Sequence, residues 1–176
     1  MDELWPLKVW ANNTAWQSQV EWALNSLKAC RASSPIDDKS PCNRFVGQAL
    51  EKVYNIIDFK NGSDYLSANQ IVSYLVSHCP PWKSLGRASS QESLHEAQGS
   101  ANSRIPVVAV RPDQPNGHVA IVLPGKLIVS ANWGLNVPNS ASFFYQHPEK
   151  SYVGQGLSHA FRPELRFDVE LYSRPV

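Results

Sequence analysis

Cysteine is scarce in this sequence: three occur among 176 residues, at positions 30, 42 and 79. Three thiols cannot all pair with one another, and their wide spacing does not match a disulfide-stapled scaffold. The N-terminal residues lack the basic start and apolar stretch of a secretory signal. No apolar run approaches the roughly 18 residues that a membrane-spanning helix needs. We therefore expect a protein that is made in a reducing cytoplasm and does not enter the membrane.

A charge excess of either sign is also lacking. Lysine and arginine number 16 and aspartate and glutamate 15, so the formal net charge is +1. A chain this close to neutral has no general attraction for nucleic acid or for an anionic membrane, and we expect neither as a partner. The sequence contains no internal repeat and no linker-like stretch, and it is long enough to bury a hydrophobic core. Residues 1–176 are therefore expected to form a single domain.

Apolar residues recur at helical spacing in the front half of the sequence. The first such stretch covers residues 13–30, and a second begins at Pro41 and ends near Tyr54. Residues 33–40 contain a proline and two consecutive aspartates, so we expect a loop between these two helices.

Two further helices are indicated by capping signals. Ser67 and Gln70 have the spacing of a capping box, which predicts a helix from Ser67 to His78. Two prolines follow closely, and proline ends a helix because it lacks a backbone N–H. Ser89 and Glu92 have the same spacing as the first pair and predict a shorter fourth helix.

In the second half of the sequence, the pattern of apolar residues changes from helical spacing to short strand-like runs. Short β-branched runs, each bounded by Pro, Asn or Gly, lie at residues 105–110, 118–123 and 127–130. Residues 124–126 (PGK) are a tight connection, which predicts that the second and third runs pair as a hairpin. Residues 143–146 and 166–172 are predicted to add edge strands. Helices followed by strands favour an α+β fold with an antiparallel sheet.

Cys42 has the sequence setting of a nucleophile. Ser40 is a favourable N-cap and Pro41 suits the first helical position, which puts Cys42 in the first turn of its helix. Free backbone N–H groups and the helix dipole favour an anion there, so we expect the pKa of this thiol to fall below its free value of about 8.5. The opposing interpretation is that Cys42, on the apolar stripe of its helix, is a small buried hydrophobe.

His118 is the candidate base. It follows Gly117 at the start of a predicted strand, where an imidazole can take the thiol proton and later protonate a leaving amine. A third polar group should orient the ring. In the predicted hairpin, Ser130 and Asn132 share one face of the neighbouring strand. We take Asn132 as the orienting residue, because its amide oxygen can accept from the imidazole, and Ser130 as the alternative.

Two sequence blocks resemble a known family. Residues 41–46 (PCNRFV) and 117–122 (GHVAIV) are similar to the two signature blocks of papain-like peptidoglycan amidases, the CHAP and NlpC-type enzymes. The resemblance covers residues 40–134 and leaves residues 1–39 and 135–176 unassigned. It implies a papain-like α+β fold of the NlpC and CHAP type, in which N-terminal helices pack on a small antiparallel sheet.

The resemblance also implies roles for individual residues. By position, Cys42 would be the nucleophile, His118 the general base and acid, and Asn132 the orienting residue. The family often has Glu, Asp or a second His in that last place, so the chain departs from the pattern there. Pro41 has no N–H and removes one oxyanion donor, which leaves the Cys42 N–H and the Asn43 side chain as candidates.

The function implied by the resemblance is hydrolysis by a cysteine amidase or endopeptidase. Such an enzyme cleaves an amide bond in the peptidoglycan stem peptide through a thioester intermediate, with no metal or other cofactor. Trp133 and Asn43 are expected to contact this substrate. Papain-like proteases, deamidases and acyltransferases use the same chemistry, so the reaction subtype and the bond that is cut stay open. The non-catalytic alternative is an α+β binding module with Cys42 in its core.

The absence of a signal peptide bears on how a wall hydrolase would reach its substrate. In its small size and in this absence, the chain resembles amidase effectors exported by type VI secretion and phage lysis enzymes. The effector interpretation implies action in the periplasm. It also implies a cognate immunity protein that covers the Cys42 cleft.

Overall fold

A computed structural model describes residues 15–33 and 41–175 of the chain. Over these residues the fold is α+β, as predicted. The described α-helices are α1 (Ala15–Ser33), α2 (Pro41–Tyr54), α3 (Ala68–Ser77) and α4 (Gln91–Asn102). Apart from Ser33, which ends α1, the loop predicted at residues 33–40 lies outside the described part of the chain.

The described strands are short. They are β1 (Lys60–Asn61), β2 (Asp64–Tyr65), β3 (Lys83–Arg87), β4 (Val107–Arg111), β5 (His118–Val122), β6 (Ile128–Ser130), β7 (Leu135–Val137), β8 (Asn139–Ser142), β9 (Tyr152–Gly156) and β10 (Glu170–Ser173). Six of them form one sheet in the order β3-β10-β4-β5-β8-β9, in which every neighbouring pair is antiparallel. The pairs β1–β2 and β6–β7 form separate hairpins.

The six-stranded sheet separates two buried clusters. Strand alternation sends Val119 and Ile121 of β5 to one side, the first face, and Ala120 and Val122 to the other side, the second face. Helices α1, α2 and α3 add their apolar stripes to the first-face cluster. The second-face cluster is formed with α4 and with the chain around Leu157. The sheet is thus covered on both sides.

The capping signals locate the starts of α3 and α4 to within one residue. Ser67 Oγ accepts from the Gln70 N–H at 3.2 Å and the Gln70 side chain accepts from the Ser67 N–H at 2.8 Å, which confirms the capping box of α3. The box predicted at Ser89 is wrong by one residue. Ser89 lies in the preceding turn, and Ser90 caps α4 by accepting from the Ser93 N–H.

The hairpin predicted between residues 118–123 and 127–130 is wrong. β6 pairs with β7, whereas β5 lies between β4 and β8. Asn139, the first residue of β8, explains this arrangement. Its side-chain amide donates to the carbonyl oxygen of Pro124 at 2.9 Å, and its backbone N–H donates to Gln98 Oε1 of α4 at 2.8 Å. These bonds hold the start of β8 beside the end of β5.

The two predicted edge strands are misplaced. β8 ends before residues 143–146, and β10 lies inside the sheet between β3 and β4. One edge belongs to β3, which was not predicted. Its sequence, KSLGR, has one buried apolar side chain, Leu85, so the alternation that marks a half-buried strand is missing.

Candidate functional site

His118 is the first residue of β5, and aromatic rings enclose its imidazole. The ring stacks on Phe144 with centroids 5.1 Å apart and meets Phe161 edge-on at 5.3 Å. Its Nε2 atom lies 2.8 Å from Ser142 Oγ. Burial disfavours the charged form and lowers the pKa of His118 from 6.5 to about 4. The imidazole is therefore neutral at neutral pH, which is the form that accepts a proton.

Ser142 is a partner of His118 that sequence reasoning missed. It ends β8, which pairs with β5 in the sheet, and its side chain is completely buried. Its neighbours Ala141 and Phe143 belong to the first-face cluster, so alternation turns Ser142 to the second face, where it meets His118. A usable signal was present at residues 140–143 (SASF), where small polar residues alternate with apolar ones as in a strand.

His118 lines an open cleft at the amino end of β5. The cleft has a volume of about 330 Å³, near the lower end of the range of roughly 300–1,000 Å³ for small-molecule sites. Its lining includes Arg111, which is paired with His118 in the β4–β5 register, together with Phe144 and residues of the 158–165 segment. Arg111 and Arg162 are among the described lining residues, and no acidic residue is. Asp113, outside the lining, pairs with Arg111, so Arg162 is the charge that makes the cleft cationic.

Gly117 positions His118 through a close approach of the backbone. A Cβ atom on Gly117 would lie 2.5 Å from the carbonyl oxygen of Arg111 and 2.8 Å from Asn69 Oδ1 of α3. The Asn69 side chain also bonds the Asp113 backbone, accepting from its N–H at 3.2 Å and donating to its carbonyl oxygen at 2.9 Å. The loop before β5 is thereby fixed to α3. Gly117 is therefore needed for packing at this position, whether or not His118 is catalytic.

Cys42 is the second residue of α2 and lies in the first turn of that helix, as predicted. Nothing further is described for the side chains of Cys42 and Asn43. One turn later, Phe45 is buried in the first-face cluster, which also contains Val119 of β5. Since α2 packs against β5, it covers the first face of the strand that the candidate base begins.

The His118 ring lies on the opposite, second face of the sheet. His118 has the same strand parity as Ala120, a member of the second-face cluster, and the ring contacts Phe161 of that cluster. Helix α2 and the imidazole are therefore on opposite sides of β5.

The other residues assigned to the site lie around the β6–β7 turn. Asn132 is exposed in that turn. Ser130 is buried, and its Oγ accepts from the Trp133 N–H at 3.3 Å. Trp133 is 4% exposed and packs in the second-face cluster. None of the three is among the described residues that line the His118 cleft. The orienting role predicted for Asn132 or Ser130 depended on a hairpin between β5 and β6, which is not formed, and the burial of Trp133 leaves little of its side chain to contact a substrate.

Two kinds of feature are at issue in the described ranges, residues 15–33 and 41–175: a metal-binding cluster and a membrane-spanning helix. No group of three or more His, Cys, Asp or Glu side chains in these ranges is placed to hold a metal ion. None of the helices in the same ranges is both long and apolar enough to cross a bilayer.

Comparison with known proteins finds no family model that matches this sequence and no curated protein that matches it. The resemblance at residues 41–46 and 117–122 therefore stays a prediction. Function is inferred from the residues and their geometry.

Proposed function

We propose that this protein is a cysteine-dependent amide hydrolase that acts on peptidoglycan stem peptides, with Cys42 as the nucleophile and His118 as the general base and acid. One observation supports the proposal above the others. A neutral imidazole stands at the first position of β5 and faces an open cleft, while the helix that begins at Pro41 and Cys42 packs against the same strand.

The hydrogen bond to Ser142 supports a specific protonation of the base. When Nε2–H donates to Ser142 Oγ, the other ring nitrogen, Nδ1, carries a lone pair. Nδ1 then takes the proton of the Cys42 thiol as the sulfur attacks the amide carbon. A C–S bond forms and the C–N bond breaks, and the imidazolium gives its proton to the leaving amine.

Hydrolysis of the thioester repeats the proton transfers with water as the nucleophile. His118 Nδ1 takes a proton from water, the oxygen bonds to the acyl carbon and the C–S bond breaks. The imidazolium returns its proton to the thiolate, which restores the resting state. Because burial disfavours the imidazolium, the proton stays on His118 only briefly in each half of the cycle.

A second candidate function is supported by the position of the imidazole on the second face, away from α2. In this alternative the cationic cleft binds an anionic ligand without catalysis, and Cys42 is a core residue. His118 then shapes the cleft, and its bond to Ser142 satisfies a buried polar group.

The cellular setting that fits a wall hydrolase is delivery by type VI secretion or by phage lysis, and action in the periplasm. A toxin delivered in this way requires an immunity protein in the producing cell, and the His118 cleft is the surface that such a protein would cover. A gene beside this one that encodes a tight binder of the chain is the expected finding. If no neighbouring product binds, the effector setting is wrong, although the hydrolase proposal stands.

Digestion of purified peptidoglycan tests the proposed reaction, with products identified by mass spectrometry. The wild type should release amide-cleaved fragments, and Cys42→Ala should release none. Cys79→Ala is the matched control, because Cys79 is an exposed free cysteine and should be dispensable. Full activity of Cys42→Ala would overturn the proposal. If none of the folded proteins releases fragments, peptidoglycan is not the substrate and the binding function is favoured.

A further inference from the structure

The cationic cleft beside His118 has a charge that the hydrolysis of an amide bond does not by itself require. Its described lining includes the guanidinium groups of Arg111 and Arg162 and no aspartate or glutamate. A neutral amide and a neutral imidazole gain little from nearby guanidinium groups, of which Arg111 is already paired with Asp113. Positive charge in a concave site attracts anions, and guanidinium groups match the geometry of a carboxylate.

Arg111 is held in place but has an unused donor. Its Nη1 atom is 2.5 Å from Asp113 Oδ2, and its side chain is 15% exposed. The Nε–H of the same guanidinium is buried and has no hydrogen-bond partner among the described residues. A guanidinium carries five N–H donors in a rigid fork, so a single carboxylate at Nη1 does not satisfy it. Buried donors in proteins are seldom left without a partner, so the Arg111 guanidinium at the lining of the cleft retains hydrogen-bonding capacity.

Arg162 supplies a second, accessible charge to the lining of the same cleft. It is exposed and forms no ion pair with the described residues of the chain. The residue stands directly before the short helix Pro163–Phe167, and Phe161, on its other side, is packed against His118. The free cation therefore belongs to the same small site as the candidate base.

We infer that this cleft binds a free carboxylate of the substrate between Arg111 and Arg162, so that the scissile amide lies close to an acidic group of the peptide. The inference rests on the proposed function for the identity of the ligand, because stem peptides carry free carboxylates beside their amide bonds. The two arginines then select an acidic peptide over its neutral amide. The Arg111 guanidinium is held by its ion pair with Asp113, whereas the exposed Arg162 side chain is free to turn towards the ligand.

A binding experiment tests this inference without turnover. The Cys42→Ala chain is titrated with a synthetic stem tetrapeptide and with the same peptide in which every carboxylate is a carboxamide. The acidic peptide should bind at least about tenfold more tightly, as expected for charge-assisted hydrogen bonds to a guanidinium. This preference should shrink as salt is added, because the Arg162 side is open to solvent.

Variants of the arginines complete the experiment. Added to Cys42→Ala, Arg162→Gln should reduce the preference to within about twofold. Arg87→Gln is the matched control, since Arg87 is an exposed arginine on the edge strand β3 and does not line the cleft; it should keep the full preference. Arg111→Gln should also reduce it, with a melting curve to show that the variant is folded.

Each outcome decides between the alternatives. Equal affinity for the two peptides, an unchanged preference in Arg162→Gln, or no binding of either peptide would overturn the carboxylate site. Digestion of peptidoglycan by the wild type is a separate measurement. If the wild type cleaves nothing while the arginine-dependent preference is present, the carboxylate site stands and the hydrolase proposal fails.

Discussion

The imidazole Nε2 of His118 lies 2.8 Å from the hydroxyl oxygen of Ser142, which belongs to the neighbouring strand β8. This contact occupies Nε2 and leaves Nδ1 as the ring nitrogen without this partner, and it exists because β8, rather than β6, pairs with β5. A buried serine therefore stands beside the imidazole, where sequence reasoning expected an asparagine. Ser142 is a positioning residue in the proposed reaction, since it acts through His118.

Replacement of Ser142 tests this positioning role. In Ser142→Ala the ring loses its partner, so kcat should fall about tenfold or more, a fraction of the roughly 10²–10⁴-fold that a general base contributes. Loss of the hydrogen-bond partner of the buried ring nitrogen should also lower the free energy of unfolding by about 1–3 kcal/mol. The activity should drop with KM nearly unchanged, because Ser142 orients the base and does not hold the substrate.

Ser140→Ala is the control for Ser142→Ala. Ser140 is equally buried on the same strand, but its hydroxyl bonds Tyr152 Oη and the Gln155 carbonyl oxygen, both at 2.9 Å. It should lose comparable stability and keep kcat. Equal loss of kcat in both variants would mean that the effect of Ser142 is structural.

The pH dependence follows from the lowered pKa of His118. Burial puts this pKa at about 4, so NMR titration should show no protonation of the ring between pH 5 and pH 8, where a model histidine titrates near 6.5. In the unfolded chain the ring takes up a proton near pH 6.5, and in the folded chain only near pH 4. This contribution to stability is complete above pH 6.5 and is lost as pH falls towards 4, by up to about 3 kcal/mol.

Two observations would decide the pH prediction. Denaturant unfolding of His118→Gln, which has no ring to protonate, should show a weaker dependence on pH between 6.5 and 4 than that of the wild type. Titration of His118 close to pH 6.5 in the folded chain would contradict the burial on which the prediction depends.

Substitution of Gly117 tests how the start of β5 is held. Gly117→Ala adds a Cβ atom 2.5 Å from the Arg111 carbonyl oxygen and 2.8 Å from Asn69 Oδ1, so the backbone has to shift. A loss of about 1–3 kcal/mol is expected for such overpacking, measured by denaturant unfolding. The matched control is Gly99→Ala in α4, where a Cβ meets nothing within 4 Å; it should gain about 0.5–1 kcal/mol. An unchanged unfolding midpoint in Gly117→Ala would contradict the close approach.

The side chains of the β6–β7 turn should not be needed for activity. Asn132→Ala removes an exposed side chain, so the free energy of unfolding should stay within about 0.5 kcal/mol and activity should be that of the wild type. Trp133→Ala empties a buried position and should cost about 3–5 kcal/mol. If a stable Asn132→Ala protein lost activity, this prediction would be wrong and Asn132 would have a role in the reaction.

The helices could be predicted because their signals are local. The capping box of Ser67 and Gln70 spans four residues, and the start of α2 is marked by Pro41. The pairing of β5 could not be predicted in this way. It depends on the bond between Gln98 and Asn139, which are 41 positions apart, and a short run such as β6 has no property that reveals its partner.

The candidate site, like the fold, could be predicted only where its signal is local in sequence. The Gly117-His118 pair before an apolar run marks the start of a strand, and the structure places His118 there, in a cleft. Ser142, Arg111 and Arg162 come from other parts of the chain and meet His118 only through the order of the sheet and the path of residues 158–165. The alternation of side chains along β5 could not predict that α2 and the His118 ring lie on opposite faces of the sheet, because it does not indicate which face a helix will cover.

The central claim is that the Cys42 thiol and the His118 imidazole act on each other in the proposed reaction. Iodoacetamide labelling at pH 7, with each cysteine followed by mass spectrometry, tests it most directly. Cys42 should label at least about tenfold faster than the exposed Cys79, and in a folded His118→Gln variant its rate should fall towards that of Cys79. Equal rates for the two cysteines in the wild type, or a fast Cys42 rate that His118→Gln leaves unchanged, would contradict the claim.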